Sequence, residues 1–236
     1  MEIPEISIPA EKVFEVFGFP ITNTFLLSLI IGVSLFALFF FGLRKRKVVP
    51  GSFQNFAEWI LETLLNYIDG ITVDRKKTLE IFPLASLLFV FIFSANLLEI
   101  LPGIGIFHFL RSPSSDLNFT FALAAASMFI VHIYAIKHLG ILNHFKKFLN
   151  FKSPIFFFVG ILEGLSELTR VFSLAIRLFG NLLAGEVLLL ITSFLFAYLL
   201  PLPFLLLEIF IGFVQALIFS SLIIIFYVVN TQESEE

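Results

Sequence analysis

Residues 154–200 form a stretch of 47 residues without a polar loop. As a single helix rising about 1.5 Å per residue it would be roughly 70 Å long, more than twice the hydrocarbon core of a bilayer. Such a segment must either break into two crossings or lie steeply inclined. Two upright crossings would need a turn near Arg177, yet 173–190 offers only Gly180 and Gly185, both in helical pattern, and no Pro. One long, strongly tilted helix is expected. The rest of the chain agrees that its solvent is lipid, since 58% of the residues are hydrophobic, only 14% are charged and the mean hydropathy is +1.01.

The spans and their orientation follow from where the charges sit. Residues 1–20 carry mixed charge and no basic start with a short apolar core, so they read as an external segment of the mature chain rather than a signal peptide. A first span at 21–43 stops at Arg44, Lys45, Arg46 and Lys47, a cluster that marks the cytoplasmic side. Residues 52–70 differ in kind. Phe53, Phe56, Ile60, Leu64 and Tyr67 recur at three and four, and Gln54, Glu58, Glu62, Asn66 and Asp69 fill the other face, as in an amphipathic helix lying at the interface. Arg75, Lys76 and Lys77 precede a second span at 79–101, and a third occupies 117–136. The long helix follows, Pro201 and Pro203 make a turn, and a last helix at 204–229 leads to an acidic tail. Eleven of the fifteen Lys and Arg then lie on one side of the membrane. The expected fold is an all-α integral membrane protein, one membrane domain over 1–236, with about five membrane helices and an interfacial helix. Its last two helices are long, tilted and paired as a hairpin. The N-terminus is expected outside and the C-terminus in the cytoplasm.

Function is read from the ionisable groups inside these spans, because an Arg at the centre of a membrane helix costs about 2.5 to 3.5 kcal/mol on insertion scales. Counting back from Arg177 at about 100° per residue, Ser173, Arg170, Ser166 and Glu163 return to one face, and Asn181 continues it. This is a polar stripe along an apolar rod, meeting water or a polar partner. Glu186 projects from the opposite side. On the last helix Glu208 and Gln215 share a face, with Gly212 between them leaving room for a close neighbour, and antiparallel packing would bring Glu208 near Glu186 and Gln215 nearer the level of Arg177. Ser166, Ser173, Asn181 and Gln215 can equally serve only to tie helices together, and Glu163, Glu167 and Arg170 can reach the interface. Arg177 lies too deep for that. His108, His132, His138 and His144 show no metal-ligand spacing and read as surface or interfacial residues. With no Cys, disulfides, thiol catalysis and cysteine metal sites are excluded, and the basic clusters read as topology signals or headgroup contacts rather than nucleic-acid sites. An ion pathway is the conclusion that the residues alone support.

At Ser173-Leu174-Ala175-Ile176-Arg177-Leu178-Phe179-Gly180-Asn181-Leu182-Leu183-Ala184-Gly185-Glu186 the sequence resembles subunit a of the F-type ATP synthase, bacterial type. Phe53-Gln54 after Gly51, the run from Asn96 through Glu99 to Pro102, Asp116-Leu117-Asn118, and the run from Gln215 to Phe219 extend the resemblance over residues 20–230. It implies a stator subunit that is not an enzyme by itself and carries no cofactor or metal. The implied partners are the c-ring, subunit b of the peripheral stalk and membrane lipid, in a bacterial inner membrane. Arg177 would face the ion-binding carboxylate of the rotating ring. Glu186, Glu208, Gln215 and Asn96 would line an outer half-channel, and Glu163 and Ser166 an inner one. The ion would most simply be a proton. Two departures stand out. Glu186 and Glu208 occupy positions that often hold one carboxylate and one histidine, and a close pair of acids would share a proton and titrate jointly. Val171 replaces a Pro of some relatives, with no consequence that can be derived. The alternative is a secondary transporter or channel using the same charges, for which an inverted repeat or Gly/Pro-broken helices would speak.

Overall fold

The computed structural model describes residues 12–16, 19–42, 44, 50–99, 112–142, 144, 154–195 and 201–232. Their elements are a hairpin of β1 (Lys12–Val16) and β2 (Phe19–Thr22), then α1 (Asn23–Gly42), α2 (Ser52–Thr72), α3 (Arg75–Glu99), a 3-10 turn (Pro113–Ser115), α4 (Leu117–Leu139), α5 (Pro154–Leu195) and α6 (Pro201–Asn230). Five of these helices, α1, α3, α4, α5 and α6, are long and apolar enough to cross a membrane, as the hydropathy pattern predicts.

The helix starts are set by short polar side chains and by proline. The Thr22 hydroxyl accepts from the Phe25 amide at the head of α1. Asp74 does the same for α3 through the Lys76 amide at 2.9 Å, and Asp116 for α4 through the Asn118 amide at 2.9 Å. Because Asp74 caps the helix, Arg75, Lys76 and Lys77 lie in the first turn of α3 instead of ahead of it, and Arg75 pairs with Asp69. Pro201 and Pro203 likewise sit in the first turn of α6 rather than in a turn before it, where a missing amide hydrogen costs nothing. The antiparallel β1–β2 hairpin was not foreseen in the N-terminal segment. Val13, Phe14 and Val16 suit a strand, but three such residues among charges give too short a signal.

At 42 residues α5 is one unbroken helix, about 63 Å at 1.5 Å per residue, so it must incline steeply to stay within a bilayer. The core lies where α3, α4, α5 and α6 meet. Ile81, Leu84, Ala85, Leu88 and Ile92 of α3 pack with Ala216, Phe219, Ile223, Ile224 and Tyr227 of α6 and with Leu174, Ala175, Leu178 and Leu182 of α5. Alanines at these contacts let the backbones approach closely, which is how helices associate in lipid without a hydrophobic driving force. Bonds from Glu80 to Tyr227, Ala85 to Ser220 and Asn96 to Gly212 run in reverse order along α3 and α6, so the two are antiparallel. Arg170–Phe226 and Gly185–Glu208 show the same for α5 and α6. The bundle therefore has two ends, one marked by Asn96 and Asp116, the other by Glu80 and Tyr227. Helix α2 buries Ala57, Leu64 and Ile68, bonds Tyr67 to Ser221 of α6, and leaves Phe53, Phe56 and Trp59 exposed. This is an amphipathic helix pinned to the bundle by one flank.

Candidate polar path across the bundle

At the first end, buried polar groups connect three helices. Asn96, only 2% exposed, donates from Nδ2 to the Gly212 carbonyl at 3.1 Å and accepts at Oδ1 from Ser114 at 3.2 Å. Gly212 is required there, because a Cβ at that position would lie 2.9 Å from the Asn96 Cβ. Next to it the Thr24 hydroxyl of α1 donates to Asp116 at 3.0 Å. Apolar helices bring these groups out of water, and their mutual bonds offset that cost.

One turn of α6 before Gly212, Glu208 is 5% exposed and faces Gly185 of α5, where a Cβ would lie 2.6 Å from Oε1. Glycine thus opens room for the carboxylate between the helices. Both Glu208 oxygens are buried and have no hydrogen-bond partner among the described residues. They border a cavity with about 20 Å³ of space for water, which Asn181, Gly185, Phe204 and Ile211 also line. That volume admits about one water molecule. Glu186, the residue after Gly185, is half-buried. Gln215 is buried at 7% exposure on the same helix.

The polar stripe of α5 splits between two environments. Ser166, Ser173, Arg177 and Asn181 are exposed, while Leu174, Ala175, Leu178 and Leu182 bury the other side. Glu163 and Arg170 are half-buried at its edge. The Arg170 guanidinium stacks over the Phe226 ring at 4.9 Å from its centroid, a cation–π contact that holds it against α6. Arg177 has no ion pair among the described residues, so the chain presents a full positive charge on the outside of an apolar rod. Asn181, one turn on, borders both the exposed face and the Glu208 cavity. It joins the two polar regions.

Two clusters at the opposite end lie outside the sequence reading. Glu80 of α3 accepts from Lys137 and from the Tyr227 hydroxyl, at 2.8 and 2.9 Å, and its second oxygen lies 2.5 Å from His138 Nε2. It ties α3, α4 and α6 together. The other cluster corrects the histidine assignment. His144 is buried at 3% exposure, and His132 is half-buried with Nε2 3.1 Å from Glu167 Oε2. The two rings lie edge to face at 5.3 Å. A polar residue on α4 is drawn inward because Glu167 falls on the bundle-facing side of α5, a fact that depends on the register between two helices. His138 is exposed as expected, and His108 lies outside the described residues. No three His, Asp or Glu side chains converge on a metal geometry among the described residues.

Comparison with known proteins places these observations in a family. A family model described as ATP synthase A chain matches residues 25–228. A protein of Moorella thermoacetica named ATP synthase subunit a is 32% identical over 219 residues, 93% of this chain and 94% of its own length. Those of Gloeobacter violaceus and Hahella chejuensis, named ATP synthase subunit a and ATP synthase subunit a 1, are 36% and 34% identical. They cover 85% and 92% of this chain and 80% and 85% of their own lengths.

Proposed function

The chain belongs to the ATP synthase A chain family, and from that premise we propose that it is the stationary membrane subunit through which protons reach and leave a rotating ring of carboxylate-bearing c subunits. The ring and subunit b of the peripheral stalk are its protein partners, and ATP chemistry takes place elsewhere in the complex. The Asn96 end faces outward and the Glu80 end faces the cytoplasm, because Arg75, Lys76, Lys77 and Lys137 gather at the latter. The membrane is the bacterial inner membrane.

The observation that carries the proposal is Arg177, a charge exposed on an apolar helix with no ion pair in its own chain among the described residues. Its partner is the ring carboxylate. Two opposite charges about 4 Å apart attract by about 4 kcal/mol at an effective dielectric near 20. A guanidinium keeps its charge in any protein environment, so a ring carboxylate arriving at Arg177 exchanges its proton for this ion pair. The same fixed charge repels protons that would pass straight between the two sides. On the outer side Asn96, Gln215, Glu186, Glu208 and Asn181 conduct protons toward the ring, with the water-sized cavity at Glu208 as the last station. On the inner side Glu163, Ser166 and Ser173 receive them, while Arg170, stacked on Phe226, supplies a fixed positive edge. Protons therefore cross only by riding the ring.

Replacing Arg177 with Ala tests this directly in membrane vesicles that retain the assembled complex. ATP-driven proton pumping is abolished while the subunits still co-purify. Pumping at the wild-type rate would contradict the proposal.

A further inference from the structure

Glu167 does not belong to the Arg177 stripe. It lies on the buried side of α5, 8% exposed, with Oε2 on His132 and Oε1 buried without a hydrogen-bond partner among the described residues. Three ionisable side chains thus meet near the inner end of the bundle: His132 from α4, His144 from the segment after it, and Glu167 from α5. The other charged groups nearby are engaged elsewhere. Lys137 and His138 contact Glu80, the Tyr227 hydroxyl donates to Glu80, and Arg170 stacks on Phe226. Glu163 sits one turn back along α5 and about 40° around it, between Glu167 and the Arg177 face. A buried carboxylate bonded to an imidazole costs desolvation, and an apolar pair would tie two membrane helices as well. Two imidazoles and a carboxylate in contact have one property that such a tie lacks, since each can accept a proton and pass it on.

We propose that His132, His144 and Glu167 form a proton-transfer site between the cytoplasmic water and the Arg177 face, a deepening that rests on the function proposed above. A proton released by the ring reaches Glu167 by way of Glu163 and passes from the carboxyl to His132 Nε2; the imidazolium then gives up its Nδ1 proton toward the neighbouring His144 ring, which passes it to the cytoplasmic water. In ATP-driven pumping it runs the other way. No electron transfer or second reactant is involved. An imidazole passes protons and not alkali-metal cations, so the site commits this chain to proton coupling.

The test uses vesicles carrying the whole membrane sector, stripped of the catalytic head, with proton flux driven by an imposed potential. The double variant His132→Gln/Glu167→Gln keeps an amide–amide hydrogen bond across α4 and α5 but cannot relay a proton. It is expected to assemble and to conduct protons about tenfold more slowly, or less. The exchanged pair, His132→Glu/Glu167→His, restores most of the conduction. Wild-type conduction by the amide pair overturns the proposal, and so does failure of the amide pair to assemble, which would mark the cluster as a structural tie. Arg177→Ala is measured for ATP-driven pumping alongside. If it pumps normally, the underlying function falls. If it is inactive while the amide pair conducts normally, only this inference falls.

Discussion

Gly212→Ala tests the seam that holds the outer polar groups in place, and its cost can be worked from the geometry. The new Cβ would lie 2.9 Å from the Asn96 Cβ and 3.5 Å from Nδ2, so α3 and α6 must separate locally. Overpacking of this kind costs about 1 to 3 kcal/mol. Separation also strains the 3.1 Å bond from Asn96 to the Gly212 carbonyl, worth about 0.6 kcal/mol between membrane helices. The substitution should therefore destabilise the chain by about 2 to 3 kcal/mol. Asn96→Ala, which loses that bond and the one from Ser114 but keeps its Cβ, should cost about 1 kcal/mol on the same basis. Asn96→Gly removes the clashing atom, so the double variant Asn96→Gly/Gly212→Ala should be more stable than the two single effects predict, by about 1 kcal/mol or more. Unfolding of the purified chain in mixed detergent micelles, followed by helical circular dichroism, reads all four corners of the cycle. Additive effects would mean that Asn96 and Gly212 do not press on one another, and the close approach argued for this seam would be wrong.

Other expectations follow from individual contacts. Glu208→Gln should slow proton uptake from the outer side and flatten its dependence on external pH without dissociating the complex. An unchanged pH profile would remove Glu208 from the path. Asp116→Ala loses the cap of α4 and the bond from Thr24, which should lower stability by about 1 to 2 kcal/mol in the same unfolding assay, whereas Asp116→Asn should lose less. Glu80→Ala strands the buried Tyr227 hydroxyl, whose lost bond costs about 1 to 3 kcal/mol. It should lower the thermal midpoint more than Lys137→Ala does, and equal effects would mean that Glu80 matters only for its surface contact.

The membrane helices were legible because their signals are local. Residues 173–190 contain no Pro, and the two glycines there do not stop α5, which runs through both. The Arg177 stripe was legible for the same reason, as a 3.6-residue period on one helix needs no partner to be seen. Antiparallel packing of the last two helices, expected from the prolines between them, sets Glu208 opposite Gly185. What stayed hidden depends on contacts between distant segments. Glu80 meets Lys137 across 57 residues of sequence, and His132 meets Glu167 only because α4 crosses α5 at that height. Arg170 keeps its place at the edge of the stripe, and only the neighbouring helix shows that its guanidinium stacks on Phe226. Gly185 lies in helical pattern in the sequence, and its purpose is visible only once Glu208 stands opposite.

The central claim, that the exposed face of α5 around Arg177 meets the ring, is open to a direct measurement, because the chain has no cysteine of its own. Single cysteines at Ser173 and Asn181, on the exposed face, and at Leu178, buried beside them, can each be oxidised against a cysteine placed next to the c-subunit carboxylate in assembled membranes. Cross-links from Ser173→Cys and Asn181→Cys, and none from Leu178→Cys, are predicted. Cross-linking from Leu178→Cys with none from the other two would contradict the account.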